Sequence, residues 1–422
     1  MVENNKKYGT WYLKVVKPFV KKDIENKNIK VLSPVDISFS GINYQTPIPE
    51  IKDPNLKQID LMPIEKPYSY VRILFNVVFN EYLYEIIEPP LNIAEQKLFD
   101  TIKSRIIDDI NYQEFENENQ RKRYLIDLMD TVVGDLGETI TNETRTKYIY
   151  YLNRDFVGYG PLQVPMMDPE VEDISCDGVN IPIYIYHRKY ESIRSNLKFE
   201  NDETLDKFVV WIVQKSGRHI SIATPMVDAT LPDGSRLQAT LGKYVTKRGS
   251  SFTIRRFKPN PFTPLDLIKF KTMSREMMAY LWLAVENGMS MIIAGGTASG
   301  KTTTLNATLL FIPPTAKIVS IEDTRELNLP QENWIPGLTR EGYGEYNPVT
   351  GKKSGEIDMF DLLTAALRQR PQYIIVGEVR GPEAYTVFQA MATGKTCYTT
   401  FHADDVKSLV HRLENAPINL PR

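Results

Sequence analysis

"GGTASGKTTTLNA" runs from Gly295 to Ala307, and its reading decides what the second half of the chain builds. Before it stands an apolar run, "SMIIAG" (Ser290–Gly295); after it comes "KTTTLNATLLFI" (Lys301–Ile312), stopped by Pro313-Pro314. The first predicts a short buried strand and the second a helix. Gly295-x4-Gly300-Lys301-Thr302 therefore places a glycine-rich turn between a strand and a helix. In such a turn successive backbone N–H groups can point inward at phosphate oxygens. The helix that follows presents its positive end to the same anion. Lys301 adds a cation at the β- and γ-phosphates, and the Thr302 hydroxyl suits Mg2+, which takes oxygen ligands. The expected ligands are ATP and Mg2+. The candidate binding residues are Gly295, Gly296, Thr297, Ala298, Ser299, Gly300, Lys301, Thr302 and Thr303.

Working outward, strands and helices alternate. "AKIVSI" (Ala316–Ile321), "YIIV" (Tyr373–Val376) and "CYTTF" (Cys397–Phe401) read as strands. "DMFDLLTAALRQ" (Asp358–Gln369), "GPEAYTVFQAMAT" (Gly381–Thr393) and "DVKSLVHRLENA" (Asp405–Ala416) read as helices. That alternation predicts an α/β fold, a mainly parallel sheet covered on both faces. Ligands then sit at the carboxyl ends of the strands. Hydrolysis needs a group that positions water and groups that stabilise charge on the transferred phosphoryl. Glu322 and Asp323 stand at one expected strand end, Glu378 at another, and His402 just past a fourth. The acid that usually follows such a "YIIV" strand is replaced by Gly377, and Glu378 comes one place later. Four parallel strands are expected, near Met291, Ile318, Ile374 and Tyr398. With the Tyr398 strand outermost and only one helix after it, the sheet edge would be bare. The sequence thus predicts an ATPase domain that is incomplete at residue 422.

The rest of the chain bounds the answer. Its 422 residues are enough for two or three domains, and the apolar (42%) and charged (25%) shares are ordinary for a globular protein. A net charge of −2 gives no whole-chain pull toward nucleic acid, and no sequence-specific nucleic-acid partner is expected. Two cysteines, Cys176 and Cys397, make no disulfide framework and no metal spacing. No apolar run reaches the roughly 18 residues of a membrane span. Residues 1–30 hold eight Lys against three acidic residues, which suits a solvated arm or a docking arm for an acidic partner or membrane surface. "YVRILFNVVFNEYLYEII" (Tyr70–Ile87) reads as strands, and helices are expected over Asn92–Ile110, Asn119–Leu136 and Glu143–Asp155. "GYGP" (Gly158–Pro161) marks a boundary, and "KPNP" (Lys258–Pro261) contains a linker. The expected division is a helical and α+β assembly region over 1–157, an α+β domain over 158–260 and the ATPase domain over 261–422.

Taken together, "GGTASGKTTTLNA", "IEDTREL", "LRQRPQYIIVGEVRG" and "ATGKTCYTTFHAD" resemble the four boxes of the type II/type IV secretion ATPases. Upstream, "GYGPL", "VEDISCDG", "PDGSR" and "GSSFTIRRF" resemble the PAS-like nucleotide-closing domain of that family. The likeness runs from about Gly158 to Leu420. "ELNLPQENWIP" and the long front end look most like the archaeal branch, which holds the archaellum motor ATPase and the type IV pilus assembly ATPases. The resemblance implies a RecA-like P-loop core preceded by α+β N-terminal domains. It implies a homo-hexameric, cytoplasmic ATPase at the inner face of the cell membrane, powering assembly or rotation of a pilus-like filament. A polytopic membrane platform protein and accessory motor or pilus assembly proteins are the implied partners. A secretion or DNA-transfer ATPase, or an ATP-gated scaffold with little turnover, are the alternatives; no acceptor-site motif supports a small-molecule kinase.

The resemblance also implies roles. Glu322 matches the acidic-box glutamate that polarises water, Glu378 the atypical Walker-B glutamate that acts on Mg2+ or water, and His402 the second histidine of the His box. Arg236, Arg248 and Arg255 match the arginines that close over the phosphates. Two departures stand out: Lys395 replaces the first His-box histidine, and Gln372 stands where an aspartate is frequent.

Overall fold

The computed structural model describes residues 44–109, 118–257, 261–340, 342–347, 351–379, 381, 383–415 and 418–420. The basic arm of residues 1–30 and the linker residues 258–260 lie outside them. The chain divides into two compact units, Met1–Phe257 and Lys258–Arg422.

In the first unit, β1 (Leu56–Glu65), β2 (Ser69–Asn76) and β3 (Glu81–Ile87) form an antiparallel meander. Three helices follow, α1 (Ile93–Asp109), α2 (Glu118–Asp135) and α3 (Asn142–Leu152). They close around Phe99, Ile102, Ile106, Leu125, Met129 and Tyr148. A short α4 (Gln163–Met167) leads into β4 (Val171–Cys176), β5 (Pro182–His187), β6 (Glu191–Lys198), α5 (Asp202–Lys215), β7 (Met226–Thr230), β8 (Arg236–Thr240) and β9 (Ser251–Arg255). All nine strands share one sheet in the order β1-β2-β3-β6-β5-β4-β9-β8-β7. The sheet runs across residue 158, because β3 pairs in parallel with β6. Val209 and Ile212 of α5 pack on Ile174, Ile185, Leu237 and Ile254, the inward positions of alternating strands. The sequence reading had no strand over Leu56–Glu65. Pro63 and two register shifts hide it, and a proline is tolerated there because β1 is an edge strand.

The second unit is α/β. After α6 (Pro264–Lys269) and α7 (Arg275–Glu286) come β10 (Met291–Gly295), α8 (Lys301–Leu309), β11 (Ile318–Glu322) and β12 (Trp334–Leu338). A small hairpin, β13 (Tyr343–Tyr346) and β14 (Lys353–Ser354), precedes α9 (Met359–Arg368), β15 (Tyr373–Val379), α10 (Glu383–Ala392), β16 (Thr396–His402) and α11 (Val406–Glu414). The five main strands are all parallel, in the order β10-β16-β15-β11-β12. One face carries Ile318, Ile375 and Tyr398 against Val285 of α7 and Leu305 and Leu309 of α8. The other carries Ile374, Val376, Cys397 and Phe401 against Leu363 of α9 and Val387 and Ala390 of α10.

Two expectations change here. A fifth strand, β12, was hidden by Pro336 and Gly337, which an edge position tolerates. The Tyr398 strand is not outermost: β16 lies between β10 and β15, and the edges are β10 and β12. Strand order in a parallel sheet follows the crossovers rather than the order along the chain.

Candidate nucleotide-binding site

The phosphate loop is shaped by its small residues. Gly300 sits in the left-handed region at φ 85° as the N-cap of α8, with no side chain capping the helix. Ala298 also takes a positive φ, 57°. The first N–H groups of α8 therefore have no partner within the helix or from a cap, which leaves them for an anion. A Cβ on Gly295 would come within 2.5 Å of Ser299 Oγ, so the loop cannot close over a larger residue. Ser299 Oγ donates to the Gly296 carbonyl at 2.9 Å, and Lys301 Nζ donates to the same oxygen at 2.6 Å. The ammonium thus reaches across the mouth of the loop. Thr302 and Thr303 are half-buried in the first turn of α8. Asp404, just past β16, approaches from the side: a Cβ on Gly296 would lie 3.1 Å from its Oδ1.

Glu322 is the last residue of β11 and only 2% exposed. Alternation places it on the α8 face with Ile318. The N–H groups of Glu326 and Leu327 both donate to its Oε1 at 2.9 Å. Its Oε2 is buried with no hydrogen-bond partner. Burial pushes the carboxyl up to about 7, against the pull of the two backbone donors.

Gly377 explains the displaced acid of β15. Val376 pairs with Thr399 and Glu378 with Thr400, so Gly377 is the extra residue of a β-bulge. Without it, position 378 would pair with Phe401 and face α9 and α10. The bulge turns Glu378 to the side of Thr400 and Ile293, which is the α8 face. Only a small residue fits at the bulge, because a Cβ there would lie 3.1 Å from Glu322 Cγ. Thr400 Oγ1 donates to the Gly377 carbonyl at 2.7 Å and pins it. The phosphate loop, Glu322 and Glu378 therefore share one face at the carboxyl edge of one sheet.

His402 ends β16 level with Gly295, on that same edge. Its carbonyl accepts from the Arg412 guanidinium, which also lies 5.2 Å from the Phe401 ring centroid. An open cavity of about 510 Å³ beside it is lined by His402, Asp404, Lys407, His411 and Arg412. The two departures from the family pattern fall elsewhere. Lys395 precedes the seven-residue β16, so it lies roughly 20 Å from His402 at about 3.3 Å per residue. Gln372 Oε1 accepts the Lys317 N–H at 3.0 Å, at the amino ends of β15 and β11. The sequence reading passed over Arg325, three places after Glu322. Its guanidinium lies 5.3 Å from the Trp334 ring centroid, and Glu322 works to keep it charged against the effect of burial.

The Glu322 environment makes a pH-dependent prediction. Its folded carboxyl titrates near 7 against an ordinary 4.5, so the protonated form is the one the fold favours. The resulting stability is complete below about pH 4.5 and is lost as pH rises through 7. Glu322→Gln should therefore stabilise the second unit by roughly 1–3 kcal/mol at pH 8 and hardly at all at pH 4. Urea melts at the two pH values test this, and an equal effect at both would show that the carboxyl is not held near neutrality.

In the first unit the three candidate arginines separate. Arg236 opens β8 and pairs directly with Arg255 at the end of β9; both are exposed. Like charges placed opposite each other repel, and Asp173 of β4, the partner of Arg255 on its other side, already sets a carboxylate in the same row. Ser235, next to Arg236, is buried; its Oγ donates to Asp233 Oδ2 at 2.8 Å and accepts the Phe257 N–H at 3.1 Å. That staple fixes the turn carrying Arg236 to the segment following Arg255. Arg248 lies before the other end of β9, where its carbonyl accepts the Val179 N–H at 3.3 Å. The five residues of β9 keep it roughly 17 Å from the pair.

An uncharacterised protein of Methanocaldococcus jannaschii, MJ0900, is 38% identical over 400 residues, covering 90% of this chain and 70% of that protein. Three further relatives from the same organism are matched over 32%, 56% and 65% of their lengths. The conjugal transfer protein TrbB of Rhizobium radiobacter is 35% identical over 196 residues, 45% of this chain and 55% of that one. Among solved structures, the Legionella pneumophila ATPase DotB is 19% identical, with 58% of this chain and 65% of that one covered at a TM-score of 0.42. A sequence model described as type II/IV secretion system protein matches residues 166–420, more than half of the chain, and the protein belongs to that family.

Proposed function

We propose that this protein is a hexameric ATPase that hydrolyses ATP to power assembly or rotation of a type IV pilus-like filament. It would work at the inner face of the cell membrane with a polytopic platform protein and accessory assembly proteins. The observation that carries the reading is the convergence of the phosphate loop, Glu322 and Glu378 on the α8 face. Membership of the type II/IV secretion system protein family supports a place in such machinery, and the conjugal-transfer name of TrbB supports the DNA-transfer alternative within it. The MJ0900 match over most of the chain supports the archaeal branch.

In this reading the N–H groups of the loop and of the first turn of α8 hold the β- and γ-phosphates, and Lys301 Nζ turns from Gly296 to them. Thr302 and Glu378 would hold Mg2+, which supplies positive charge to the same phosphates. A magnesium ion needs only one or two carboxylates, and no cluster of three or more His, Cys, Asp or Glu occurs among the described residues. Glu322 orients the attacking water and takes its proton on Oε2, since Oε1 is already held by two backbone donors. Turnover should then rise as pH rises through about 7, the value to which burial pushes this carboxyl. Arg236 and Arg255 close on the γ-phosphate, so that its presence favours a closed state and its loss releases it.

Phosphate release from ATP with Mg2+ tests the reading; tight ATP binding without turnover would leave a nucleotide-gated scaffold. The arginine arrangement makes the test finer. Arg236→Ala and Arg255→Ala should each slow turnover by about 10³-fold, the low end for an arginine acting on a transferred phosphoryl. The double variant should be little slower than either, because in this reading the two arginines, opposite each other in the β8–β9 register, act on one anion. Arg248→Ala, a strand length away, should add its effect independently of Arg236→Ala. Independent losses from Arg236→Ala and Arg255→Ala would mean that they do not share an anion.

A further inference from the structure

"TIRRF" (Thr253–Phe257) sets two arginines side by side, and the alternation of a strand sends them to opposite faces. Arg255 ends β9 and is exposed, on the solvent side with Arg236. The Arg256 N–H carries the ladder one step further, donating to the Glu172 carbonyl at 2.8 Å. Its guanidinium turns the other way, and Nη1 donates to the Asp168 carbonyl. Its Nε is buried with no hydrogen-bond partner. Burial works against the charge, while Asp233 and then Asp168 support it. Asp168 is itself fully buried: Oδ2 accepts the Tyr84 hydroxyl at 2.8 Å and Oδ1 the Glu170 N–H at 2.9 Å.

A guanidinium with a buried, unpaired donor costs stability, and apolar side chains of similar volume often serve a core better. What Arg256 provides is a fixed point. Asp168 closes α4, and Asp233 lies on the turn between β7 and β8 that leads into Arg236. One guanidinium interacts with both, directly behind Arg255. The next residue is held to the same turn: a Cβ on Gly234 would lie 3.1 Å from the Phe257 ring. On the solvent side Arg255 has Arg236 across one strand and Asp173 across the other, a repulsion and an attraction. Its aim therefore follows from where the strand end is pinned. We propose that Arg256 is a positioning residue, holding the end of β9 to the segment after α4 and to the β7–β8 turn so that Arg255 and Arg236 present their guanidinium groups together. Arg256 itself touches no phosphate. The inference rests on the closing role that the proposed function gives to Arg236 and Arg255.

The test measures ATP turnover and ADP affinity of the full chain. Arg256→Gln should lower kcat by about tenfold to a hundredfold, the scale of a misplaced catalytic group, and leave ADP affinity unchanged. In the Arg255→Ala background the same substitution should cost about twofold at most, because the arginine pair it serves is already broken. A residue that merely kept the chain folded would cost the same factor in both backgrounds, and that result would overturn the proposal. So would parent-like turnover in Arg256→Gln. If a thermal melt shows that Arg256→Gln does not fold, Arg256→Lys keeps the buried charge and loses the planar fork. The same comparison in the two backgrounds then decides. Parent-like turnover in Arg255→Ala would sink the closing role and this inference with it. A slow Arg255→Ala beside an unimpaired Arg256 variant would sink this inference alone.

Discussion

Lys301→Ala should abolish ATP turnover while leaving the fold in place. Its ammonium spans the mouth of the glycine-rich loop, 2.6 Å from the Gly296 carbonyl, and in the proposed function it is the cation that meets the β- and γ-phosphates. A methyl group there leaves the backbone donors but removes the charge that offsets the developing charge of the transferred phosphoryl. Losing one preorganised electrostatic group of this kind costs at least about 10²–10³ in rate. The fold should survive because Leu305 and Leu309 anchor α8 in the core and alanine is a strong helix former. Steady-state turnover and a thermal melt read both halves of the prediction. Near-normal turnover would remove the phosphate loop from the chemistry, and with it the motor reading.

Glu378→Gln should separate binding from chemistry. The amide keeps the shape of the side chain and loses the charge that, in the proposed function, acts on Mg2+ or water. The bulge that aims it should persist, since Gly377 is pinned through its own carbonyl by Thr400. Turnover should fall by about 10² or more, the scale for a positioned acid or base, with ATP affinity retained. Equilibrium binding of a fluorescent ATP analogue beside phosphate release distinguishes the cases. An affinity loss as large as the rate loss would make Glu378 a structural residue of β15.

The sequence alone was enough for much that is governed by short stretches of backbone. The phosphate loop was legible because a strand, a turn with Gly295 and Gly300, and a helix opening at Lys301 follow from neighbouring residues and their sterics. The same holds for α8 to α11 and for β10, β11, β15 and β16, and for Glu322 and Glu378 standing near strand ends, whereas α6 and α7 were not among the expected elements.

What the tertiary structure decided involves partners distant along the chain. The edge strands β1 and β12 contain prolines and become strands only because a neighbour pairs with them. The place of β16 between β10 and β15 depends on crossovers that no local pattern records. Glu378 faces α8 because one extra residue opposite β16 shifts its register, and a one-residue shift reverses the face a side chain meets. Arg236 meets Arg255 and not Arg248 for the same kind of reason: antiparallel pairing joins the start of one strand to the end of the next. Local physics thus named the candidate chemistry, and long-range pairing decided which of those groups meet.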